Sequence, residues 1–287
     1  MKNPINQSLN SQVHKILRKI ETDGLVSAPR GLQVKELELQ TLTLEPTLII
    51  AEFEARPMNW RYFLGELAWY LKKDCSIEYI NHFSNFWKGI ADTEGKIHSN
   101  YGYMLFGEQL QWSLNALRKD PNTRQAISFV SRPEVQYEGN KDFVCTMYLN
   151  FSIRANKLNM KVQMRSNDIF YGLTYDAPFF SFVQQTMHQW LKADYPTLGL
   201  GTYYHCADNI HYYERHFKIA QDIMSEEINE PYSFQLNEPL FLLDNSEMIL
   251  TVAGKSFIDE VDDLINNNKS INQQISYQIL SQYFTIK

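Results

Sequence analysis

The chain has 287 residues, 44% of them hydrophobic, with a formal net charge of −6. That is enough for one large core, and a single domain over residues 1–287 is expected. The mild acidity argues against a protein built to grip nucleic acid. No run approaches the roughly 18 apolar residues of a membrane span, and the polar N-terminus lacks a signal peptide's apolar segment. A cytoplasmic protein with no membrane partner and no stable nucleic-acid partner is therefore expected.

Val13, Ile16, Leu17 and Ile20 fall at helical spacing within 11–21, and Asp23-Gly24 closes that helix. A loop through Ala28-Pro29-Arg30-Gly31 leads into alternating strands over 34–49. The spacing predicts a helix over 59–71 in which Glu66 lies among Phe63, Leu64, Leu67 and Tyr70. A carboxylate on an apolar stripe is costly unless partnered, so Glu66 is either a hydrogen-bonded buried acid or a catalytic one. A further helix over 77–90 carries Phe83, Phe86 and Trp87, which by spacing are core. In 97–106 the phenol of Tyr101, beside Gly102, reaches into a site or caps the core. A helix over 109–117 ends at Lys119-Asp120-Pro121, and a strand over 125–130 starts directly after Arg124.

The runs 144–153 and 157–164 read as a β-hairpin turning at Arg154-Ala155-Asn156. A long apolar helix is predicted over 176–194, a strand over 200–206, and a helix over 210–223 with His211 and Tyr213 at its start. Beyond residue 225, strands near 234–243 and 248–252 and a helix near 258–265 carry no motif. His211, Glu214 and His216 match no standard zinc spacing, and no metal is expected. Cys75, Cys145 and Cys206 are odd in number and far apart, which argues against a disulfide framework or a C-x-x-C site.

Cys75 and Cys206 read as small buried hydrophobes. Cys145 differs in its surroundings. Near the start of the first hairpin strand it would be held rigidly, and a guanidinium such as Arg165 would favour its thiolate, the form that attacks an electrophilic carbon.

Arg165-Ser166-Asn167-Asp168 followed by Gly172-Leu173 resembles the arginine-serine-x-aspartate…glycine segment of the thymidylate synthase family, and Cys145 falls where that family keeps its nucleophile. Glu66-Leu67-Ala68-Trp69 is similar to its glutamate-leucine-x-tryptophan helix, Asn122-Thr123-Arg124 to its phosphate-arginine segment, and His211-Tyr212-Tyr213 to its histidine-x-tyrosine pair. The similarity covers about 30–217. Within the family, Phe143-Val144-Cys145-Thr146, Ser99-Asn100-Tyr101-Gly102 and Ser131-Arg132-Pro133 resemble the phage-type deoxycytidylate hydroxymethylase branch. Four positions depart from the classical synthases: Thr146 stands for a histidine, Gln125 for a second arginine, Asn167 for the usual cysteine, and Asp176 for the asparagine that reads uracil.

The resemblance implies an α/β (α+β) fold, a mixed sheet flanked by helices, and a sheet-mediated homodimer with shared active sites. It implies a nucleotide monophosphate held by Arg30, Arg124, Arg165 and Ser166, with His211 and Tyr213 on the sugar and Asp176 on the base. Lys35 competes with Arg30 for the phosphate. It further implies 5,10-methylenetetrahydrofolate as co-substrate, with Trp87, Asp168 and Gly172 beside it. Cys145 would add to carbon 6 of the pyrimidine, and Glu66 and Tyr101 would handle protons. Hydroxymethylation of deoxycytidylate is the expected activity. Its methylation, deoxyuridylate methylation and a non-catalytic binding paralogue are the alternatives.

Overall fold

The computed structural model describes residues 4–228, 231–267 and 269–287. Helix α1 (Leu9–Asp23) is capped by Ser8, whose hydroxyl accepts from Ser11 N–H at 3.2 Å, and it buries Val13, Ile16, Leu17 and Ile20 before stopping at Gly24. Strands β1 (Leu25–Ser27) and β2 (Val34–Leu44) flank the turn of Arg30 and Gly31, both with left-handed backbone. Helix α2 (Trp60–Lys72) is capped by Asn59, which accepts from Tyr62 N–H at 3.0 Å. Then come α3 (Ile77–Ile80), α4 (Tyr101–Leu105), α5 (Glu108–Lys119) and β3 (Ile127–Phe129).

The hairpin forms as its sequence suggests, from β4 (Thr146–Arg154) and β5 (Lys157–Met164), with Arg154 opposite Lys157. Its two turn residues, Ala155 and Asn156, both have positive φ, the pairing that matches the twist of a two-residue hairpin. After β6 (Asn167–Asp168) and a wide π-turn, α6 (Thr174–Leu191) packs on the sheet, with Gln184 Nε2 donating to the Leu158 carbonyl at 3.0 Å. Strand β7 (Gly199–Tyr213) and α7 (Phe217–Ser225) follow. The C-terminal part holds β8 (Phe234–Leu236), β9 (Phe241–Asp244), β10 (Glu247–Leu250), α8 (Val252–Asn266), α9 (Gln273–Tyr283) and β11 (Phe284–Ile286).

The main sheet runs β1-β2-β7-β5-β4-β3, with β6 paired to β7. Strand β7 is antiparallel to β2 but parallel to β5 and β6, so the sheet is mixed and flanked by helices, in agreement with the α/β expectation. One continuous set of buried side chains extends from Leu9 to Phe284.

Two predicted helices are corrected. Over 77–90 only α3 and a short 3-10 turn at Phe86–Gly89 form. Arg61 donates to the carbonyls of His82 and Phe83, which draws them out of a helical ladder, and the Phe83 ring seats on Gly65, where a Cβ would meet it at 2.1 Å. Over 210–223 the first residues belong to β7, because β2 pairs with it as far as Glu36 opposite His211 and Val34 opposite Tyr213. His211 and Tyr213 are strand residues, and the helix starts at Phe217.

Candidate active site

Cys145 sits one residue before β4, at the mouth of the hairpin rather than inside its ladder. Arg165, the residue after β5, donates from Nε to the Val144 carbonyl at 3.0 Å and from Nη2 to the Phe143 carbonyl; the same Nη2 lies 3.6 Å from Cys145 Sγ. Burial pushes the Cys145 thiol up, Arg165 and Arg30 pull it down, and Asp176 and Asp142 add to the rise. The expected guanidinium is therefore in place, but burial outweighs it and the net shift is toward the thiol. Asp142 ties this loop to the start of α4. It accepts from His98 N–H at 2.6 Å, Ser99 N–H at 2.9 Å and Ser99 hydroxyl at 2.6 Å.

Two carboxyl groups share the interior with Cys145. Glu66, on α2 and 6% exposed, accepts from the Tyr62 hydroxyl at 2.6 Å. Burial raises Glu66 to about 8, helped by the nearby Asp176 and opposed by Tyr62 and Tyr70, so it carries its proton at neutral pH. Asp176, in the first turn of α6, is raised to about 6, chiefly by burial, while hydrogen bonds from Asn167 and Tyr101 oppose the rise. Tyr101 lies between these groups, and the Thr146 hydroxyl donates to its oxygen at 2.9 Å. Two carboxyls with separated proton affinities beside a thiol form an arrangement suited to nucleophilic addition with proton transfer.

The anion and sugar candidates gather less completely. His211, 8% exposed, stands next to Asp168 across the β6–β7 pairing, with Nδ1 2.9 Å from Asn209 Oδ1. Burial lowers its affinity for a proton, Asp168 and Glu36 raise it, and Arg165 and Arg30 lower it further. Both arginines thus act at Cys145 and at His211. Lys35, the competitor of Arg30, is bound to Glu21 at 2.7 Å. Ser166 is half-buried on the turn into β6, and Tyr213 is covered by the Arg215 guanidinium at 4.4 Å. Arg124 is exposed on the turn entering β3, and among the described residues no hydrogen bond or ion pair joins it to the others.

Asp168 Oδ1 accepts from Phe170 and Tyr171 N–H at 2.6 and 2.7 Å, while its Oδ2 is buried and unpartnered among the described residues. Trp87, 7% exposed, packs on Trp69 with its Nε1 likewise unpartnered. Gly172 leaves room for the contact between Asn167 and Asp176. A Cβ there would fall 2.6 Å from Asn167 Nδ2 and 3.1 Å from Asp176 Oδ2.

Sequence reasoning passed over Tyr62, Asp142, Asn167 as a contact of Asp176, and the buried pair Tyr203 and His205. Tyr62 was detectable, since it precedes Glu66 by one helical turn and shares its face. Tyr203 and His205 fall inside the strand predicted over 200–206, but nothing in residue order shows that Asn167 of β6 lies against them.

A match to the thymidylate synthase family covers residues 14–250. The chain is 30% identical over 210 residues to deoxycytidylate 5-hydroxymethyltransferase of Enterobacteria phage T6, covering 69% of this chain and 85% of that protein. It is 27% identical over 229 residues to deoxyuridylate hydroxymethyltransferase of Bacillus phage SP01, covering 72% of this chain and 58% of that protein. Among solved structures, thermostable thymidylate synthase A from Bacillus subtilis superposes with a TM-score of 0.66 at 18% identity, over 80% of this chain and 88% of that one. The family match spans every residue gathered above, from Arg30 to Tyr213, and on that ground the chain belongs to the thymidylate synthase family.

Proposed function

We propose that this enzyme adds a hydroxymethyl group to carbon 5 of deoxycytidylate. The observation that carries the reading is a carboxyl, Asp176, with a proton affinity near 6, buried beside the Cys145 thiol. Cytosine presents an exocyclic amine that donates and a ring nitrogen 3 that accepts. A carboxyl carrying one shared proton answers both, one oxygen accepting from the amine and the other giving its proton to nitrogen 3. Proton transfer toward the ring makes carbon 6 more electrophilic toward Cys145.

Cys145 gives up its proton and its sulfur adds to carbon 6, so that carbon 5 gains carbanion character. Arg165 holds the loop that carries the sulfur and, with Arg30, supplies positive charge for the phosphate, which supports binding of a dianion by a net-acidic chain. His211 and Tyr213 are assigned to the sugar. Glu66, protonated at neutral pH, gives its proton to the leaving amine and, as the carboxylate that results, takes the proton that carbon 5 loses and orients the water that becomes the hydroxyl.

Enzymes of the thymidylate synthase family use methylenetetrahydrofolate, which supplies the one-carbon unit. The orphaned buried atoms Asp168 Oδ2 and Trp87 Nε1 fit a pterin, whose edge offers donors and acceptors to both. A homodimer with Arg124 crossing to the partner's phosphate accounts for an arginine exposed and apart from the rest. Large exposed side chains on the sheet, Leu39 at 79% and Phe129 at 55%, are in keeping with such a contact.

The test is incubation with deoxycytidylate and methylenetetrahydrofolate followed by mass spectrometry of the nucleotide. A product heavier by one CH2O unit supports the reading. A methylated cytosine product, or conversion of deoxyuridylate alone, overturns it.

A further inference from the structure

The carboxyl of Asp176 is anchored by a buried row of polar side chains. Its Oδ2 accepts from Asn167 Nδ2 at 2.7 Å, Asn167 Oδ1 lies 2.9 Å from His205 Nε2, and His205 Nδ1 lies 2.7 Å from the Tyr203 hydroxyl. Asn167, His205 and Tyr203 are 2%, 0% and 0% exposed, so each must find its partners within the interior. Tyr203 and His205 are two residues apart on β7 and share its buried face, and Asn167 reaches them from β6.

Chemistry fixes the direction of every bond in the row. An ionised carboxylate only accepts, so Asn167 turns its NH2 to Asp176 and its oxygen to His205. His205 Nε2 then carries the imidazole hydrogen and Nδ1 keeps the lone pair, to which the Tyr203 hydroxyl donates. Burial lowers the His205 pKa to about 3, so the ring stays neutral with a single hydrogen to place. Gly172, whose missing side chain leaves room for the Asn167–Asp176 bond, completes the fit.

We propose that His205 and Tyr203 are positioning residues for base recognition, locking the Asn167 amide so that any proton on Asp176 lies on the oxygen turned to the base. The inference rests on the reading that Asp176 meets a cytosine edge. Asn167 donates to Oδ2 and the Tyr101 hydroxyl is the carboxyl's second donor, so neither neighbour accepts the carboxyl proton, which is left to the oxygen turned to the base, where ring nitrogen 3 of cytosine accepts it. With the amide reversed, the asparagine oxygen would draw that proton to Oδ2. The base-facing oxygen would then be a bare acceptor, which suits the N3–H of uracil and opposes the lone pair of cytosine.

The experiment measures kcat/KM for deoxycytidylate and deoxyuridylate in Tyr203→Phe, His205→Leu and His205→Gln. Tyr203→Phe removes one oxygen atom and leaves His205 free to take the other tautomer, while glutamine keeps a donor where Nε2–H stands. Tyr203→Phe and His205→Leu should each lower the cytosine-to-uracil ratio by about tenfold or more, the scale of one mismatched buried hydrogen bond, and His205→Gln should restore most of it. Imidazole 15N shifts of the wild-type protein should show His205 protonated on Nε2. Equal losses on both nucleotides, a glutamine variant no better than leucine, or an Nδ1–H tautomer would overturn the proposal. A wild-type preference for cytosine that survives Tyr203→Phe defeats this inference alone, whereas a wild-type enzyme without that preference defeats the base-reading role of Asp176 and this inference with it.

Discussion

The guanidinium of Arg165 lies 3.6 Å from the sulfur of Cys145 while bonding to the carbonyls of Phe143 and Val144, the two residues before it. One side chain thus both shapes the nucleophile's loop and moderates a thiol that burial holds above its ordinary value of 9.0.

Alkylation of Cys145 by iodoacetamide should therefore be slow at neutral pH and rise with a midpoint above 9, and Arg165→Ala should move that midpoint further up. Cys145→Ser should lose at least about 10³-fold in turnover while still binding nucleotide. Near-normal turnover by that variant would remove Cys145 from the mechanism.

Glu66 sets stability against activity. A carboxyl raised from 4.5 to about 8 holds its proton more tightly in the folded state, so folding is penalised as pH rises through that interval and the penalty is complete above 8. Glu66→Gln keeps an acceptor for Tyr62 and loses the charge. It should be more stable than wild type at pH 8–9, by on the order of a few kcal/mol, and equal to it below pH 4.5, in urea titrations at each pH. Its turnover should fall by about 10²-fold or more.

Asp176→Asn should shift preference from deoxycytidylate toward deoxyuridylate, because an amide offers uracil a donor for oxygen 4 and an acceptor for N3–H. Sites built on such hydrogen bonds discriminate by up to about 10⁴-fold. An unchanged ratio of the two kcat/KM values would mean that Asp176 does not read the base.

Arg124 tests the dimer. Mixing inactive Arg124→Ala with inactive Cys145→Ala subunits should restore part of the activity, since one site in each mixed dimer would be intact. Absence of any recovery, with sedimentation showing mixed dimers, would place Arg124 in its own chain's chemistry.

Much of this arrangement was legible from residue order. The hairpin announced itself by its alternating runs and its turn, and Glu66 by standing on an apolar stripe. The false helix over 77–90 arose because aromatic spacing carries no information about Arg61, which withdraws two carbonyls from 21 and 22 residues away in sequence. The row from Asp176 to Tyr203 was invisible for a related reason. Its members come from β6, α6 and β7, and only the parallel pairing of β6 with β7 brings them together.

Strand β7 carries His205 on the interior row and His211 at the sugar candidates, six positions apart on the same face. At about 3.3 Å per residue the two imidazoles are spaced by a rigid length of roughly 20 Å. A substitution between them changes one contact, but deletion of a single residue would turn one histidine outward whenever the other stayed in. This stretch should consequently tolerate drift in composition and almost none in length.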